Sequence, residues 1–131
     1  MIYKTPGIIL RRKNLAEADR ILTIFTQKRG KVKAVAKGVR WLKSHLAGHL
    51  ELFCLSDLIL AEGKNLDTII GAELIKSYPK LRADLARTNQ AYYLAEITDK
   101  LTVEADPHSE IFQLLKKGLD ILEEDLSLIH I

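Results

Sequence analysis

Short alternating runs of apolar and polar residues fill the first 77 positions of the chain and predict five β-strands. Glycine, asparagine and aspartate separate these runs, as is typical of turns. The segment Lys28-Arg29-Gly30 predicts a tight hairpin turn, because glycine readily adopts the positive φ that many short hairpins require. The predicted strands are residues 7–13, 20–27, 31–37, 49–61 and 66–75.

The third predicted strand has the clearest alternation. Small apolar residues at positions 32, 34 and 36 alternate with lysines at positions 31, 33 and 37. Because successive side chains of a strand point to opposite faces, one face is apolar and the other is basic. Many basic strand faces are simply solvated, but such a face could also bind phosphate. The alternation alone leaves both interpretations open.

Two features of the strand region favour a closed barrel. The alternation of the fourth strand shifts near Ser56-Asp57, which predicts a bulge or bend, and bends of this kind close barrels. Five strands with basic connections predict an OB-fold, a small Greek-key barrel, although a five-stranded SH3-like barrel would give a similar pattern. The predicted apolar face of the fifth strand comprises Leu66, Thr68, Ile70, Ala72 and Leu74.

From residue 79 onward the spacing of apolar residues changes to three and four, which predicts helices. Residues 79–86 form a short predicted helix, and Thr88 is the predicted cap of a second helix. Asp106-Pro107 predicts the start of a third helix, because proline is favoured at the first helical position. Gly118 lies on the apolar stripe of this third helix and predicts a close approach by a neighbouring element.

The apolar stripes of the two longer helices predict their buried sides. The stripe of the second helix comprises Ala91, Leu94, Ala95, Thr98 and Leu101. The stripe of the third helix comprises Ile111, Leu114, Leu115, Leu119, Leu122 and Leu126. Residues 126–131 are apolar and end without a cap or polar tail. We therefore expect a small helical domain that is truncated at Ile131 or covered by another chain.

Charge is distributed unevenly along the chain. The 131 residues, 47% apolar and 28% charged, are typical of one folded domain or two very small ones. The net charge is only +3, yet residues 1–45 contain twelve basic and two acidic residues, a net charge of +10. So many like charges in a short segment predict a polyanionic partner.

Several classes of function find no support in the sequence. The chain has no phosphate-binding loop, no dinucleotide-binding glycine pattern, and no zinc-protease or serine-hydrolase motif. His45 and His49 lack the further ligands that zinc needs, and Cys54 is expected to be a buried thiol. We therefore expect neither catalysis nor a metal or other cofactor. A single cysteine fits a reducing cytoplasm, and no apolar run is long enough for a membrane helix.

The segment of residues 37–45 combines four cations, counting one histidine, with a tryptophan and a glycine. Single-stranded nucleic acid is held by cations and by exposed aromatic rings on which bases stack. Trp41 is therefore either a stacking platform or a buried residue packed against Leu42 and Leu46, and the sequence leaves both open. The predicted nucleic-acid-binding residues are Arg11, Arg12, Lys28, Arg29, Lys31, Lys33, Lys37, Arg40, Trp41 and Lys43.

Several motifs follow one another in an order that is characteristic of one family. They are EADRILT (17–23), KRGK (28–31), VAKG (35–38) and LAGHLELF (46–53). The pattern continues through LDTIIGAELIKSYPKLRADL and AYYLAEITDKL to about residue 122. In this order the motifs resemble the N-terminal part of the bacterial RecO family of DNA-repair and recombination mediators.

The resemblance implies an OB-fold over residues 1–78 and a partial helical domain over residues 79–131. It implies a cytoplasmic, nucleoid-associated bacterial protein that is not an enzyme, binds single- and double-stranded DNA and promotes strand annealing. Its implied partners are RecR, single-strand-binding protein and, indirectly, the RecA recombinase. Many members carry a zinc site of four cysteines, which Cys54 alone cannot form, so no zinc is predicted here.

Two other functions stay open at this point. One is an RNA-binding OB module, and the other is an adaptor whose basic face binds an acidic peptide of a partner protein. For DNA binding we expect the barrel to gather its cations on a shared side. Replacing Lys31 and Lys33 together by glutamate is then expected to weaken binding severely, and binding is expected to fall steeply with salt.

Overall fold

A computed structural model describes residues 1–41 and 43–124 of the chain. Within these residues the strands are β1 (Ile2–Leu15), β2 (Asp19–Thr26), β3 (Gly30–Ala36), β4 (Leu55–Ala61) and β5 (Asp67–Lys76). The helices are α1 (Pro79–Ala83), α2 (Leu85–Leu101) and α3 (Ser109–Glu124), and a short 3-10 helix (Ala47–His49) precedes β4. Leu126 of the predicted stripe and the apolar segment 126–131 lie outside the described residues.

The five strands close into a barrel in the order β1-β2-β3-β5-β4. All neighbouring strands are antiparallel except β3 and β5, which pair in parallel at Ala34 with Asp67 and at Val35 with Thr68. A closed five-stranded barrel with this crossover confirms the predicted OB-fold.

The first three strands follow the predicted pattern closely. β2 and β3 each lie within one residue of their predicted bounds, and the burial of Ala34 and Ala36 confirms the apolar face of β3. β1 is longer than predicted, because Pro6 does not interrupt it. The Pro6 carbonyl accepts a hydrogen bond from the Gln27 N–H at 2.9 Å, and Pro6 pairs with Asp57 of the neighbouring strand β4.

The predicted start of β4 at residue 49 is wrong. Residues 47–49 form the 3-10 helix, and the strand begins only at Leu55. Phe53 is buried, but its φ of 67° lies outside strand geometry, so the apolar residues here reach the core through turns. Ser56 Oγ donates a hydrogen bond to the His49 carbonyl at 2.6 Å, which holds the folded-back segment against the strand.

The predicted irregularity near residue 56 is confirmed, because the register between β4 and β5 shifts between Leu55 and Ser56. A second shift makes Ile70 an extra residue between the paired positions Ile69 and Gly71. The extra residue reverses the alternation, so Ile69 is buried and Ile70 is exposed. The predicted apolar face of β5 is therefore wrong at Ile70.

Helix α2 begins earlier than predicted, because Asp84 caps it and Thr88 does not. Asp84 Oδ1 accepts a hydrogen bond from the Ala86 N–H at 2.9 Å. Thr88 Oγ1 donates instead to the Leu81 carbonyl at 2.8 Å. The preceding helix α1 consequently ends at Ala83 rather than at residue 86.

The two longer helices pack through one side each. The buried residues of α3 are Phe112, Leu115, Leu119 and Leu122. Leu101 and Leu114, both predicted to be buried, are exposed, because the described elements cover only one side of each helix. The predicted close approach at Gly118 is confirmed, since a Cβ at that position would lie 2.9 Å from Leu94 Cδ1 of α2.

Two apolar clusters stabilise the fold. One fills the barrel and includes Leu22, Ile24 and Leu58. The other joins the outer wall of the barrel to the helices, with Phe25 of β2 beside Phe112 of α3 at 6.1 Å between ring centroids. The helices therefore pack on the outside of the barrel, next to the face that carries the basic residues of β3.

The link between α2 and α3 binds to the edge of β3. Lys31 forms a β-bridge with Glu104, and the Ala105 N–H donates to the Lys31 carbonyl at 3.0 Å. Gly30 has a φ of 70° and approaches Asp106 so closely that a Cβ would clash with the Asp106 carbonyl oxygen. These contacts fix residues 104–106 relative to the barrel.

Candidate nucleic-acid interface

A groove of about 580 Å³ lies between the outer face of β1, β2 and β3 and the end of α2. The strand pairing places Arg11 of β1, Thr23 of β2 and Lys33 of β3 side by side, and these residues lie on the floor of the groove. We call this feature the sheet groove. Its charged residues are the cations Arg11, Arg12, Lys13, Lys31 and Lys33 and the carboxylates Asp99 and Glu104.

Lys31 is the least accessible of these cations, with a side chain only 11% exposed. Its Nζ donates to the Asp99 carbonyl at 2.8 Å, to Asp99 Oδ1 at 3.0 Å and to the Thr102 carbonyl at 2.8 Å. An ammonium has three donors, so all of them are occupied. Lys31 thus neutralises the C-terminal end of α2, where helix carbonyls concentrate negative charge. Replacing Lys31 removes these contacts to the end of α2. A loss of DNA binding in a variant that replaces Lys31 and Lys33 together would therefore not by itself show that either lysine contacts phosphate.

Asp99 connects three elements at this point. Its Oδ2 accepts a hydrogen bond from Arg11 Nη1 of β1 at 3.2 Å, in addition to the bond from Lys31 of β3. Partial burial alone raises the pKa of the Asp99 carboxyl, but the hydrogen bonds from Lys31 and Arg11 outweigh it and hold that pKa below its usual value. Asp99 is therefore ionised at neutral pH and holds the end of α2 against the sheet.

Other predicted cations form exposed ion pairs. The pairs are Arg12–Glu51 at 2.7 Å, Arg29–Glu62 at 2.6 Å and Lys33–Glu104 at 3.5 Å. Each of these side chains is at least 37% exposed. Exposed pairs contribute at most about 1 kcal/mol, so a phosphate can replace the carboxylate at small cost.

Lys13 is a groove cation that the sequence-based list omits. It follows Arg11 by two positions on β1, pairs with Ile21 and is exposed. Because strand side chains alternate, a period of two counted from Arg11 would have placed Lys13 on the same face.

The connection after β3 folds over the turn between β1 and β2. Arg40 holds it there, because its Nε donates to the Asp19 carbonyl at 3.2 Å and its Nη2 to the Ala16 carbonyl at 2.6 Å. Its own N–H donates to the Ala18 carbonyl at 2.9 Å. Asp19 Oδ1 accepts the Gly38 N–H at 2.7 Å. The guanidinium of Arg40 therefore positions this segment through protein acceptors.

Trp41 is 66% exposed, so the buried interpretation of this residue is wrong. Gly38 has a φ of 65°, and a Cβ there would lie 3.0 Å from the indole ring, so the ring rests against the glycine backbone. Lys37 and Lys43 are exposed on either side of it in sequence. We call Lys37, Trp41 and Lys43 the turn surface. Leu42 lies outside the described residues.

The sheet groove leads towards the turn surface. Alternation along β3 places Lys33 and Val35 on its outer side, and Lys37 follows directly after the strand. Positions two apart along a strand are separated by about 6–7 Å, so Lys33 and Lys37, with the uncharged Val35 between them, lie about 13 Å apart along this path.

Lys28 and Arg29 lie elsewhere. They occupy the turn before β3, at the end of that strand opposite Lys37, and are not among the residues that line the sheet groove. Arg29 lies over the Tyr3 ring at 4.2 Å in addition to its pair with Glu62. The structure therefore brings Arg11, Arg12, Lys31 and Lys33 together and leads from them to the turn surface, whereas Lys28 and Arg29 stay apart.

A second groove of about 520 Å³ lies between β1 and α2, on the other side of Arg11 and Arg12. Its apolar lining is Leu10, Leu52, Tyr92 and Ala95. Arg11, Arg12 and Lys100 contribute positive charge to it, and Glu96 and Asp99 contribute negative charge. The groove therefore combines an apolar floor with a net charge of +1 from its five charged residues.

The remaining candidate groups have structural partners. His49 Nδ1 accepts the Leu74 N–H at 2.9 Å, and Arg82 Nη2 donates to the buried Cys54 Sγ at 3.1 Å. Burial raises the pKa of the Cys54 thiol. Among residues 1–41 and 43–124, no three histidine, cysteine or acidic side chains converge on a point that could hold a metal ion. No helix in this part of the chain is long and apolar enough to cross a membrane.

Comparison with known proteins assigns both parts of the chain to one family. The family model for the N-terminal part of recombination protein O matches residues 1–78, and the model for its C-terminal part matches residues 82–131. The DNA repair protein RecO of Dehalococcoides mccartyi is 41% identical over 121 residues, which cover 92% of this chain and 48% of that protein. The DNA repair protein RecO of Acetivibrio thermocellus is 38% identical, with the same coverage of both chains.

A third relative shows the same relationship. The DNA repair protein RecO of Acaryochloris marina is 42% identical over 121 residues, 92% of this chain and 41% of its own length. The chain thus spans about half the length of the curated relatives it matches. Since both family models match in order, and the model for the N-terminal part alone covers more than half of the chain, this chain belongs to the RecO family of DNA repair proteins.

Proposed function

We propose that this chain binds single- and double-stranded DNA through the sheet groove and the turn surface, and acts as a recombination mediator rather than as an enzyme. The observation that carries the proposal is the convergence of five cations in one groove that leads to an exposed tryptophan. The names of its relatives, which describe DNA repair proteins, support the same conclusion.

The charge of the groove favours a polyanion even though two carboxylates lie within it. Five cations and two carboxylates leave a net charge of +3 along the groove. Binding a nucleic-acid strand here releases the counterions condensed on its phosphates, which is the main source of affinity in sequence-independent binding. Because these contacts reach the backbone, we expect little preference among DNA sequences.

Annealing follows from the same contacts. Cations that neutralise the phosphates of two strands at once reduce the repulsion between them, so that complementary bases can pair. Trp41 offers a ring on which one unpaired base can stack while the strand is held. No chemical step is required of the protein in this mechanism.

The partners implied by the family belong to the same proposal. We propose that the protein acts in the bacterial cytoplasm, associated with the nucleoid, together with RecR and single-strand-binding protein, and indirectly with RecA. The groove between β1 and α2 favours a second function of the chain, the binding of an acidic peptide from a partner protein. An RNA-binding function would use the same cations and would differ through contacts to the 2′-hydroxyl.

The first test replaces exposed lysines of the proposed surface. We expect the triple variant Lys13→Gln, Lys33→Gln, Lys37→Gln to bind a fluorescent oligothymidine at least about tenfold more weakly, because three phosphate contacts are lost. The matched control is the triple variant Lys64→Gln, Lys80→Gln, Lys117→Gln, which removes three exposed lysines outside both surfaces. It has the same net charge as the first variant and should retain most of the affinity.

Equal losses in the two triple variants would contradict the proposed surface, because they would show that net charge alone governs binding. Absence of DNA binding by the unmodified chain, together with binding of an acidic peptide, would replace the proposal with the adaptor function. Stronger binding of a matched RNA oligomer than of DNA would indicate an RNA-binding module.

A further inference from the structure

Glu104 is an acidic residue held in a fixed place beside the sheet groove. Its backbone forms a β-bridge with Lys31, and the following residue, Ala105, donates its N–H to the Lys31 carbonyl at 3.0 Å. From this position its Oε1 lies 3.5 Å from Lys33 Nζ. The carboxylate therefore comes from the link after α2 and reaches a cation on β3.

The Lys33–Glu104 pair differs from the other carboxylate contact in the groove. The two side chains are 50% and 55% exposed, so a phosphate in solution can reach Lys33 if the glutamate moves away. Asp99 instead bonds the buried Lys31 and belongs to the packing of α2 on the barrel. Glu104 is thus the groove carboxylate that can be displaced without opening the fold.

We infer that Glu104 competes with DNA phosphate for Lys33 and thereby lowers the affinity of the sheet groove for DNA. This inference rests on the proposed function, because it concerns the same groove. A phosphate that binds Lys33 must first break the ion pair between Lys33 and Glu104. A small anion with a single phosphate therefore gains one contact to Lys33 and loses the contact of Glu104. A strand with many phosphates contacts Arg11, Lys13 and Lys37 as well, and those contacts offset the loss.

The test compares two glutamates that each pair with a predicted DNA-binding cation. We expect Glu104→Gln to bind oligothymidine about two- to five-fold more tightly than the unmodified chain, which corresponds to the loss of one exposed competing ion pair. The matched control is Glu62→Gln, which removes the same charge from an exposed pair with Arg29 at the far end of β3. Its affinity should stay close to that of the unmodified chain.

A double-mutant cycle shows whether the effect passes through Lys33. In the Lys33→Gln background, Glu104→Gln should no longer tighten binding, because the cation for which the two anions compete is gone. Glu104→Ala is a second variant of the same position, since the hydrogen bonds that hold the link involve the backbone. Thermal unfolding verifies that each variant is folded.

The outcomes separate this inference from the proposed function. Equal affinities of Glu104→Gln and Glu62→Gln would overturn the inference while leaving DNA binding intact. A tightening that persists without Lys33 would overturn it too, because the effect would then be one of general charge. If the unmodified chain bound no nucleic acid, the proposed function itself would fail.

Discussion

Lys31 and Lys33 lie two positions apart on β3 and share one face of the strand, yet their surroundings differ. Three protein acceptors occupy the ammonium of Lys31, whereas Lys33 is half exposed and makes one weak pair. Arg40 resembles Lys31 in this respect, because backbone carbonyls occupy its guanidinium. Accessibility therefore divides the cations of the first 45 residues into those that stabilise the fold and those that can contact a ligand.

Trp41 allows a direct test of base stacking, because it is the single tryptophan of the chain and is largely exposed. We expect Trp41→Ala to weaken binding of a single strand by about 1–3 kcal/mol, the contribution of one stacked base. Trp41→Phe keeps an aromatic face and should lose much less. Titration by fluorescence anisotropy measures both, and quenching of the tryptophan emission by oligothymidine reports the stacking directly.

The stability of the Trp41 variants serves as the control. Replacement of an exposed side chain usually changes the free energy of unfolding by less than about 0.5 kcal/mol. Full DNA affinity in Trp41→Ala, with unchanged stability, would show that the ring is not a stacking platform.

Helix α2 ends against the barrel through a small set of polar contacts, and these define the sheet groove. Asp99 accepts hydrogen bonds from β1 and β3, while the link after α2 adds a β-bridge to β3. The groove is therefore built from two elements that are distant in sequence, a sheet face and a helix terminus. Its shape depends on the attachment of α2 as much as on the strands.

We expect Asp99→Asn to lower the free energy of unfolding by about 1–3 kcal/mol at neutral pH, because charge-assisted hydrogen bonds to Lys31 and Arg11 are weakened. The pKa of Asp99 is lower in the folded chain than in the unfolded one. Its contribution to stability is therefore complete above the unfolded value of about 4 and is lost as the pH falls through the folded value.

Denaturant unfolding at a series of pH values checks this expectation. The difference between the unmodified chain and Asp99→Asn should be largest near neutral pH and should shrink below about pH 4. A difference that stayed constant down to the acid limit would show that ionisation of Asp99 does not stabilise the fold.

The molecule as a whole is electrostatically asymmetric. Residues 1–45 carry a net charge of +10, and the remainder carries −7. Part of the negative charge meets the positive part through the pairs of Asp99, Glu51, Glu62 and Glu104. The excess that is left favours approach of a polyanion to the barrel rather than to the helices.

The salt dependence of DNA binding measures how far this excess of positive charge contributes to affinity. If binding neutralises about four phosphates of a single strand, the logarithm of the association constant should fall with the logarithm of salt concentration with a slope of about −3. The triple variant Lys13→Gln, Lys33→Gln, Lys37→Gln should have a clearly shallower slope. A slope near zero for the unmodified chain would contradict electrostatic binding.

The local parts of the fold were predictable from the sequence. β2 and β3 follow from alternation, and Leu115, Leu119 and Leu122 of the buried face of α3 follow from helical spacing, because each pattern reflects burial of one face within a single element. The spacing missed the buried Phe112 and wrongly included the exposed Leu114. The alternation predicted a five-stranded barrel, either an OB-fold or an SH3-like barrel, and the family resemblance implied an OB-fold followed by helices. At Trp41 the sequence left exposure and burial open, and the structure shows that the ring is exposed.

Other features depend on contacts between distant residues and left no local signal. Lys31 and Asp99 are 68 positions apart, so nothing in the basic strand indicated that its first lysine serves a helix end. The extra residue at Ile70 arises from pairing with β4, and the alternation of β5 alone cannot show it. The start of β4 was misplaced because an apolar run buried through turns resembles a buried strand in composition.

Attachment of the helices to the outer wall of the barrel has a consequence for synthesis of the protein. A nascent chain released from the ribosomal tunnel as far as residue 78 has all five strands but none of the helices that cover Ile8, Leu10 and Phe25. Its Lys31 also lacks the acceptors at positions 99 and 102. Until α2 and α3 emerge, the apolar side chains and the basic side chains of this outer wall are therefore exposed to solvent together.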